Sequence, residues 1–225
     1  MIPLIRLDQS QLGAVIALHH DMLAELAPGM AATETDQFFT DHLDACGQIF
    51  GAFSGDRLMA YCVLGIPRKE DPNFGTDHGL SPDQFDQVAH IDGAAVDPAW
   101  RGQGWQRRMI NHRLDIAKNL GRSITLSTVA PANSASLFNM ISTGLTIRGL
   151  IQKFGGDRFL MRRDIAPAAD QKTPPSTNQA QTPAIWCDST DLVTCQKLLN
   201  DGYIGQYCQY SAPHSVPRIG WVAGR

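Results

Sequence analysis

"VDPAWRGQGWQRRM", residues 96–109, decides how this chain is read. A short apolar strand ends at a proline, Arg101, Gly102 and Gly104 follow within one tight turn, and an amphipathic helix begins at once. Glycines at a strand-to-helix turn let the backbone approach a ligand closely, and the leading N–H groups of the helix attract anions. A phosphate is the expected occupant of the turn.

Outward from this stretch the pattern alternates in type. Upstream, residues 2–7 read as a strand, with Asp8 or Ser10 capping a helix through Leu12, Val15, Ile16, Leu18 and Met22. A second helix covers Glu34 to Cys46, and "QIFGAFSGDRLMAYCVLGI" reads as a hairpin around Gly55-Asp56. Residues 67–87 are a long polar stretch in which Glu70, Asp71, Asp77, Asp83 and Asp86 face only Arg68 and Lys69. A loop of that length in a compact domain is more often functional or mobile than merely connecting, and its acidic balance suggests a cation as its ligand, although a charge run is usually a solvated face. The strand 88–96 then leads into the turn, and a helix from Gly104 to Leu120 carries Met109, Ile110, Leu114, Ile116 and Ala117 on one side. "SITLSTV" is a further strand, Pro131-Ala132-Asn133 opens another helix that stops near Gly144, and two strands around Gly155-Gly156 close the unit. The order β-α-α-β-β-β-α-β-α-β-β predicts a mixed α+β, α/β-layered protein.

Residues 166–183 hold four prolines and no bulky apolar side chain, the composition of a linker. The expected organisation is therefore a main unit over 1–165, a linker over 166–183 and a small β-α-β extension over 184–225, whose helix through Leu192, Leu198 and Leu199 is capped by Asp188. About forty residues seldom bury enough apolar surface alone, so the extension is expected to dock on the main unit or on a partner subunit, and its aromatics are candidates for a homodimer interface. Nineteen Lys and Arg against 22 Asp and Glu give a formal charge of -3, which argues against nucleic-acid binding through a strongly basic surface. Five cysteines form no C-x-x-C pair and suit a reducing cytoplasm. No stretch approaches the roughly 18 apolar residues of a membrane span, and no metal-ligating spacing is present.

Three phosphate-binding patterns compete for the turn. A P-loop requires G-x-x-x-x-G-K-[ST], which is absent, and the dinucleotide pattern G-x-G-x-x-G meets Arg107 where its third glycine belongs. The stretch Arg101-Gly102-Gln103-Gly104-Trp105-Gln106 instead resembles the R-x-x-G-x-G/A loop of the GNAT-type N-acetyltransferase superfamily. "VAPANSASLFNMISTGL" is similar to that family's second signature, with Asn133, Ser136, Gly144 and Leu145 at its spacing. The likeness spans roughly residues 4–164. It implies a central mixed, mostly antiparallel sheet flanked by helices, with acetyl-coenzyme A as cosubstrate held by loop amides, and a small-molecule or peptide amine as acceptor. Two positions depart from the pattern. Gln106 stands where the family prefers Gly or Ala, and Met140 stands where it commonly has the Tyr that protonates the leaving thiolate. Tyr61, Ser142, Tyr203, Tyr207 and Tyr210 are the other donors on offer.

Acetyl transfer to an amine needs a base, because an alkylammonium of pKa near 10.4 is neutral in only about one part in a thousand at pH 7. Strict alternation along 88–96 puts Val88, His90, Asp92, Ala94 and Val96 on one face, an imidazole beside a carboxylate. By the resemblance, His90 takes the base position, with Asp92 orienting it or binding the ammonium. Ala94 takes the position whose N–H polarises the thioester, Val96 that which pairs with pantetheine, and Met140 lies beside the cosubstrate. The competing reading is a degenerate module that binds acyl-coenzyme A without turnover, favoured by Met140 and Gln106.

Overall fold

Asp8 organises the N-terminal turn: its carboxylate accepts from the Ser10 N–H (2.8 Å) while the Gln11 side chain accepts from the Asp8 N–H (2.8 Å). That capping box ends strand β1 (Ile5–Arg6) and launches helix α1 (Leu12–Glu25). The computed structural model describes residues 2–165, 185–210 and 215–224. Helix α2 (Asp36–Asp44) starts at Thr35, whose hydroxyl accepts from the Phe38 N–H at 3.1 Å. The hairpin β2 (Gly47–Ser54) and β3 (Arg57–Gly65) precedes β4 (Val88–Val96), α3 (Trp105–Asn119), β5 (Ile124–Val129) and α4 (Ser134–Ser142). A second hairpin, β6 (Thr146–Lys153) and β7 (Gly156–Asp164), follows, and then β8 (Ile185–Asp188), α5 (Leu192–Asn200), β9 (Tyr203–Gln209) and β10 (Arg218–Ala223).

The ten strands form one sheet in the order β1-β2-β3-β4-β5-β7-β6-β9-β10-β8. Every pairing is antiparallel except β4 with β5. Helices cover both faces. Val15 and Leu18 of α1 and Phe39 and Leu43 of α2 pack with Ile49, Tyr61 and Val63 on one side. Met109, Ile110 and Leu114 of α3 and Leu137 and Ile141 of α4 pack with Ala60, Cys62 and Leu64 on the other. Alternate residues of β3 thus feed opposite cores, as a strand's period of two requires.

The C-terminal strands extend this sheet, with β9 meeting β6 at Gly205–Ile147. Ile219 and Trp221 are fully buried in the same cluster as α3 and α4. The Ser189 hydroxyl donates to the Pro131 carbonyl at 2.7 Å, a second tie between extension and main unit. The linker expected over 166–183 lies outside the described residues.

Three local expectations are corrected. The first strand is two residues long rather than six, because Pro3 lacks an N–H and Asp8 already turns the chain. Helix α2 begins after Glu34, at the Thr35 cap. Helix α5 is capped by Asp191, which accepts from the Thr194 N–H, and not by Asp188. Among the described residues no helix is long and apolar enough to cross a membrane.

Candidate active site

β4 and β5 run in register only from Val88–Ile124 to His90–Leu126, and then part. Where the ladder stops, the Ser127 hydroxyl donates to the Ile91 carbonyl at 2.6 Å, a side-chain bridge at the base of the opening. The wedge beyond it is part of a cleft of about 860 Å³.

β4 is not a regular strand at this point. Cys62 pairs with Ala94 but Leu64 pairs with Ile91, so Asp92 and Gly93 together oppose Val63. This is a β-bulge, and it shifts the alternation by one residue. Ala89, Ile91, Ala94 and Val96 pack toward α3 and α4, whereas Val88 belongs to the cluster on the opposite face. The single row of Val88, His90, Asp92, Ala94 and Val96 expected from strict alternation is therefore split in two. Arg113 of α3 supplies the hydrogen bonds the bulge needs. Its Nη1 donates to the carbonyls of Val63 (2.9 Å) and Asp92 (2.8 Å), and its Nε donates to Met109 (3.1 Å). The sequence reading passed over Arg113, yet it interrupts the apolar stripe of Met109, Ile110, Leu114 and Ala117, and that interruption was visible.

Asp92 lies on the cleft wall with its carboxylate Oδ2 at 3.8 Å from both His42 Nε2 and His90 Nδ1. Gly65, opposite His90, leaves the room it occupies: a Cβ there would stand 2.5 Å from Oδ2. Burial, with the charge of Glu34 behind it, raises the Asp92 carboxyl to about 7. Glu34 lines the same cleft from the loop before α2, and burial raises its carboxyl also. The sequence reading treated Glu34 only as a helix start.

His90 is enclosed rather than presented. It is 5% exposed, is not among the cleft-lining residues, and stacks on Phe74 with ring centroids 4.2 Å apart. The Phe74 N–H donates to its Nε2 at 3.1 Å. Burial, and then the nearby His42, push its pKa down to about 3. The acidic stretch expected to face a cation spends Asp71 on Arg68 and Asp77 on Lys153, and its Phe74 lines the cleft instead.

At the other end, Gly102 (φ 75°) and Gly104 (φ 77°) hold the left-handed conformation that turns the chain into α3. No side chain caps α3 and no carboxylate stands in its first turn, so its leading N–H groups are open to an anion. Arg101, Gly102, Gly104, Trp105 and Gln106 line the cleft with Ala94 and Val96, while Gln103 is exposed and outside it. Arg101 braces the turn through Val96 O (3.1 Å) and Glu25 (2.7 Å). Gln106 is a strut: its Nε2 donates to Ser136 Oγ (3.1 Å) and its Oε1 accepts from Asn139 (2.8 Å), joining α3 to α4. Asn133 caps α4 by accepting from the Ser136 N–H, and its Nδ2 reaches Met30 O (3.1 Å) across the cleft. Asn133, Ser136 and Met140 all line the cavity. So does Tyr210 from the C-terminal extension, stacked on Phe138 at 5.8 Å, two residues before Met140.

The sequence profile of the acetyltransferase (GNAT) family matches residues 16–138. The N-alpha-acetyltransferase RimI of Mycobacterium tuberculosis is 33% identical over 118 residues, 51% of this chain and 64% of that protein, so the chain spans just under two thirds of that relative. The crystal structure of the ribosomal-protein-S18-alanine N-acetyltransferase from Escherichia coli aligns with a TM-score of 0.53 at 16% identity, covering 77% of this chain and 100% of the other. A GNAT superfamily phosphinothricin acetyltransferase from Sinorhizobium meliloti, solved in complex with AcCoA, aligns with a TM-score of 0.57 at 14% identity over 78% and 97%. At these identities the structural likeness establishes the fold.

Proposed function

The chain belongs to the GNAT acetyltransferase family, and from that premise we propose that it transfers an acetyl group from acetyl-coenzyme A to a primary amine, by direct attack within a ternary complex. The glycine turn fits a pyrophosphate: nothing stands within 4 Å of a Cβ built on Gly102, and the α3 N–H groups beyond it are uncapped. In this reading the amides of residues 101–106 hold the phosphates, and Val96, Asn133, Ser136 and Met140 flank the pantetheine arm. Acetyl-coenzyme A supplies the thioester carbonyl that the amine attacks.

The observation that carries the reading is Asp92, a cleft-wall carboxylate two residues from Ala94 whose affinity for a proton burial has brought near neutrality. Asp92 rather than His90 takes the proton from the acceptor ammonium, since Nε2 of His90 already accepts from Phe74. His90 and His42 then act as positioning residues about the carboxylate. The Ala94 N–H faces the developing oxyanion, as a preorganised donor should. Tyr210 supplies the proton for the departing thiolate, the task for which Met140 has no O–H. On this reading the extension is part of the catalytic unit.

The base also favours an acceptor class. Handing a proton to a group of pKa about 7 is uphill by about 1 kcal/mol from a peptide α-ammonium of pKa near 8, but by about 5 kcal/mol from a lysine ammonium of 10.4. A peptide α-amine is therefore the proposed acceptor, in keeping with the name of the mycobacterial relative. The test is thiol release from acetyl-coenzyme A over peptides with free N-termini, lysine, polyamines and amino sugars, read beside calorimetric binding of the cosubstrate. Turnover led by α-amines is expected. Binding of acetyl-coenzyme A with no thiol release from any amine would overturn the reading in favour of a non-catalytic acyl-coenzyme A module.

A further inference from the structure

We propose that Arg158 selects acceptors that carry a carboxylate as well as the reacting amine, so that the cleft binds the two ends of a zwitterion. This rests on the reading of the cleft as the amine's site. Arg158 lies on β7, is 2% exposed, and lines the same cavity as Asp92 and Glu34. It donates to two backbone carbonyls, Asp157 O at 2.9 Å from Nη1 and Phe154 O at 3.3 Å from Nη2. Among the described residues it forms no ion pair. The adjacent Asp157 carboxylate is engaged by Gln152, and the other cations of this hairpin have their own anions, Lys153 with Asp77 and Arg162 with Asp164. A buried guanidinium without a carboxylate is a costly arrangement, and a bound carboxylate, met by its fork of donors, relieves it.

The sheet places this charge on the correct side. Phe159 belongs to the core beneath α3 and α4, so its neighbour Arg158 points to the opposite face. That is the face of Val88 and Leu126, and by alternation of His90, to which the Asp92 carboxylate is adjacent. β5 alone separates β4 from β7. His90 pairs with Leu126 and Leu126 with Arg162, so Arg158 lies four residues along β7 from the His90 row, toward the open end of the wedge. Two strand spacings across and about two residues along would put the backbones of Asp92 and Arg158 on the order of 12 Å apart in a closed sheet, and the parting of β4 from β5 widens this, so that the span between the two side chains is that of a dipeptide. Phe74 lines the same cleft, stacked on His90 and 6.4 Å from the Phe154 ring, with the Lys153 ammonium, paired to Asp77, over both rings. The acceptor expected is thus an α-amine whose ammonium meets Asp92 and Glu34, and whose carboxylate, main-chain or side-chain, meets Arg158.

Calorimetric titrations test this, run with and without coenzyme A, using two probe pairs: Ala-Ala against Ala-Ala amide, and Ala-Glu amide against Ala-Gln amide. The carboxylate member of one pair should bind at least about tenfold more tightly, the first pair indicating a main-chain carboxylate and the second a side-chain one. Arg158→Gln should erase that ratio and leave acetyl-coenzyme A affinity unchanged, and Arg158→Lys, which keeps the charge but not the fork, should retain only part of it. Binding within twofold in both pairs, no binding of any probe, or a ratio that survives Arg158→Gln would overturn the inference. The wild-type ratios need no variant to fold. They are read without turnover, so they fail independently of acetyl transfer, whose own failure is an absence of thiol release.

Discussion

Replacing Asp92 with asparagine should remove activity and add stability, each with its own dependence on pH. The folded protein holds the Asp92 proton up to about pH 7, while the unfolded chain releases it at the ordinary 3.8. Between those values the native state binds the extra proton, so stability falls as pH rises: the penalty is absent below about pH 4 and complete above about pH 7. An interval of about three pH units at about 1.4 kcal/mol each sets a ceiling of about 4 kcal/mol. Recovery of half of that by the uncharged amide, about 2 kcal/mol, corresponds to a Tm rise of about 4–8 °C at pH 8 for a chain of this size, vanishing near pH 4. Activity should move the other way. With amine saturating, wild-type kcat should climb about tenfold per pH unit below 7 and level above it, because only the carboxylate accepts the proton. Asp92→Asn should lower kcat by about 10²–10⁴ at pH 8 and abolish the inflection. His90→Gln is the comparator: it keeps an acceptor for the Phe74 N–H, and should hold kcat within about tenfold with the inflection intact. Scanning calorimetry from pH 4 to 8 and thiol release over the same range are the assays. Wild-type kcat in Asp92→Asn, or a lowered Tm at pH 8, would refute the reasoning, and an inflection lost in His90→Gln but kept in Asp92→Asn would return the proton to His90.

Gly104→Val places a branched side chain at φ 77°, and should weaken acetyl-coenzyme A binding at least about tenfold by calorimetry for about 1–2 kcal/mol of backbone strain; an unchanged Kd would dismiss the turn as the phosphate site. Tyr210→Phe should lower kcat by about tenfold or more with KM for the amine unchanged, and an unaltered kcat would remove Tyr210 as the proton donor. Trp221→Ala empties a fully buried site in the core shared with α3 and α4, and should cost about 3–5 kcal/mol within one unfolding transition. A melt that splits in two, with one transition unmoved, would show the extension folding apart from the main unit.

The parts of this protein legible in its sequence are those where local rules and tertiary structure agree. The order of elements followed from periodicity, and the turn at Arg101–Gly104 from the need for glycine at two left-handed positions. The single row of β4 was not legible because period-two alternation assumes an unbroken ladder, and the bulge at Asp92-Gly93 breaks it with a backbone shift that no residue type announces. Its trace lay elsewhere in the chain, in Arg113 on an otherwise apolar helix stripe, whose guanidinium reaches the carbonyls of Val63 and Asp92. The pairing of the acidic stretch was hidden for a related reason. Asp77 meets Lys153 from a distant hairpin, so a count of local charge could not reveal that the carboxylate was already neutralised. A buried charge is informative when its partner is missing. Among the described residues Asp92 and Glu34 form no ion pair with a Lys or Arg, and Arg158, like Arg113, is held by backbone carbonyls alone; all four line one cleft. The bulge is what makes this arrangement possible. Without the added residue, the side chain at 92 would follow the strict alternation of β4 through Ala94 and Val96, and the strand would carry its carboxylate into the apolar core beneath α3 or displace the Ala94 N–H from the wedge.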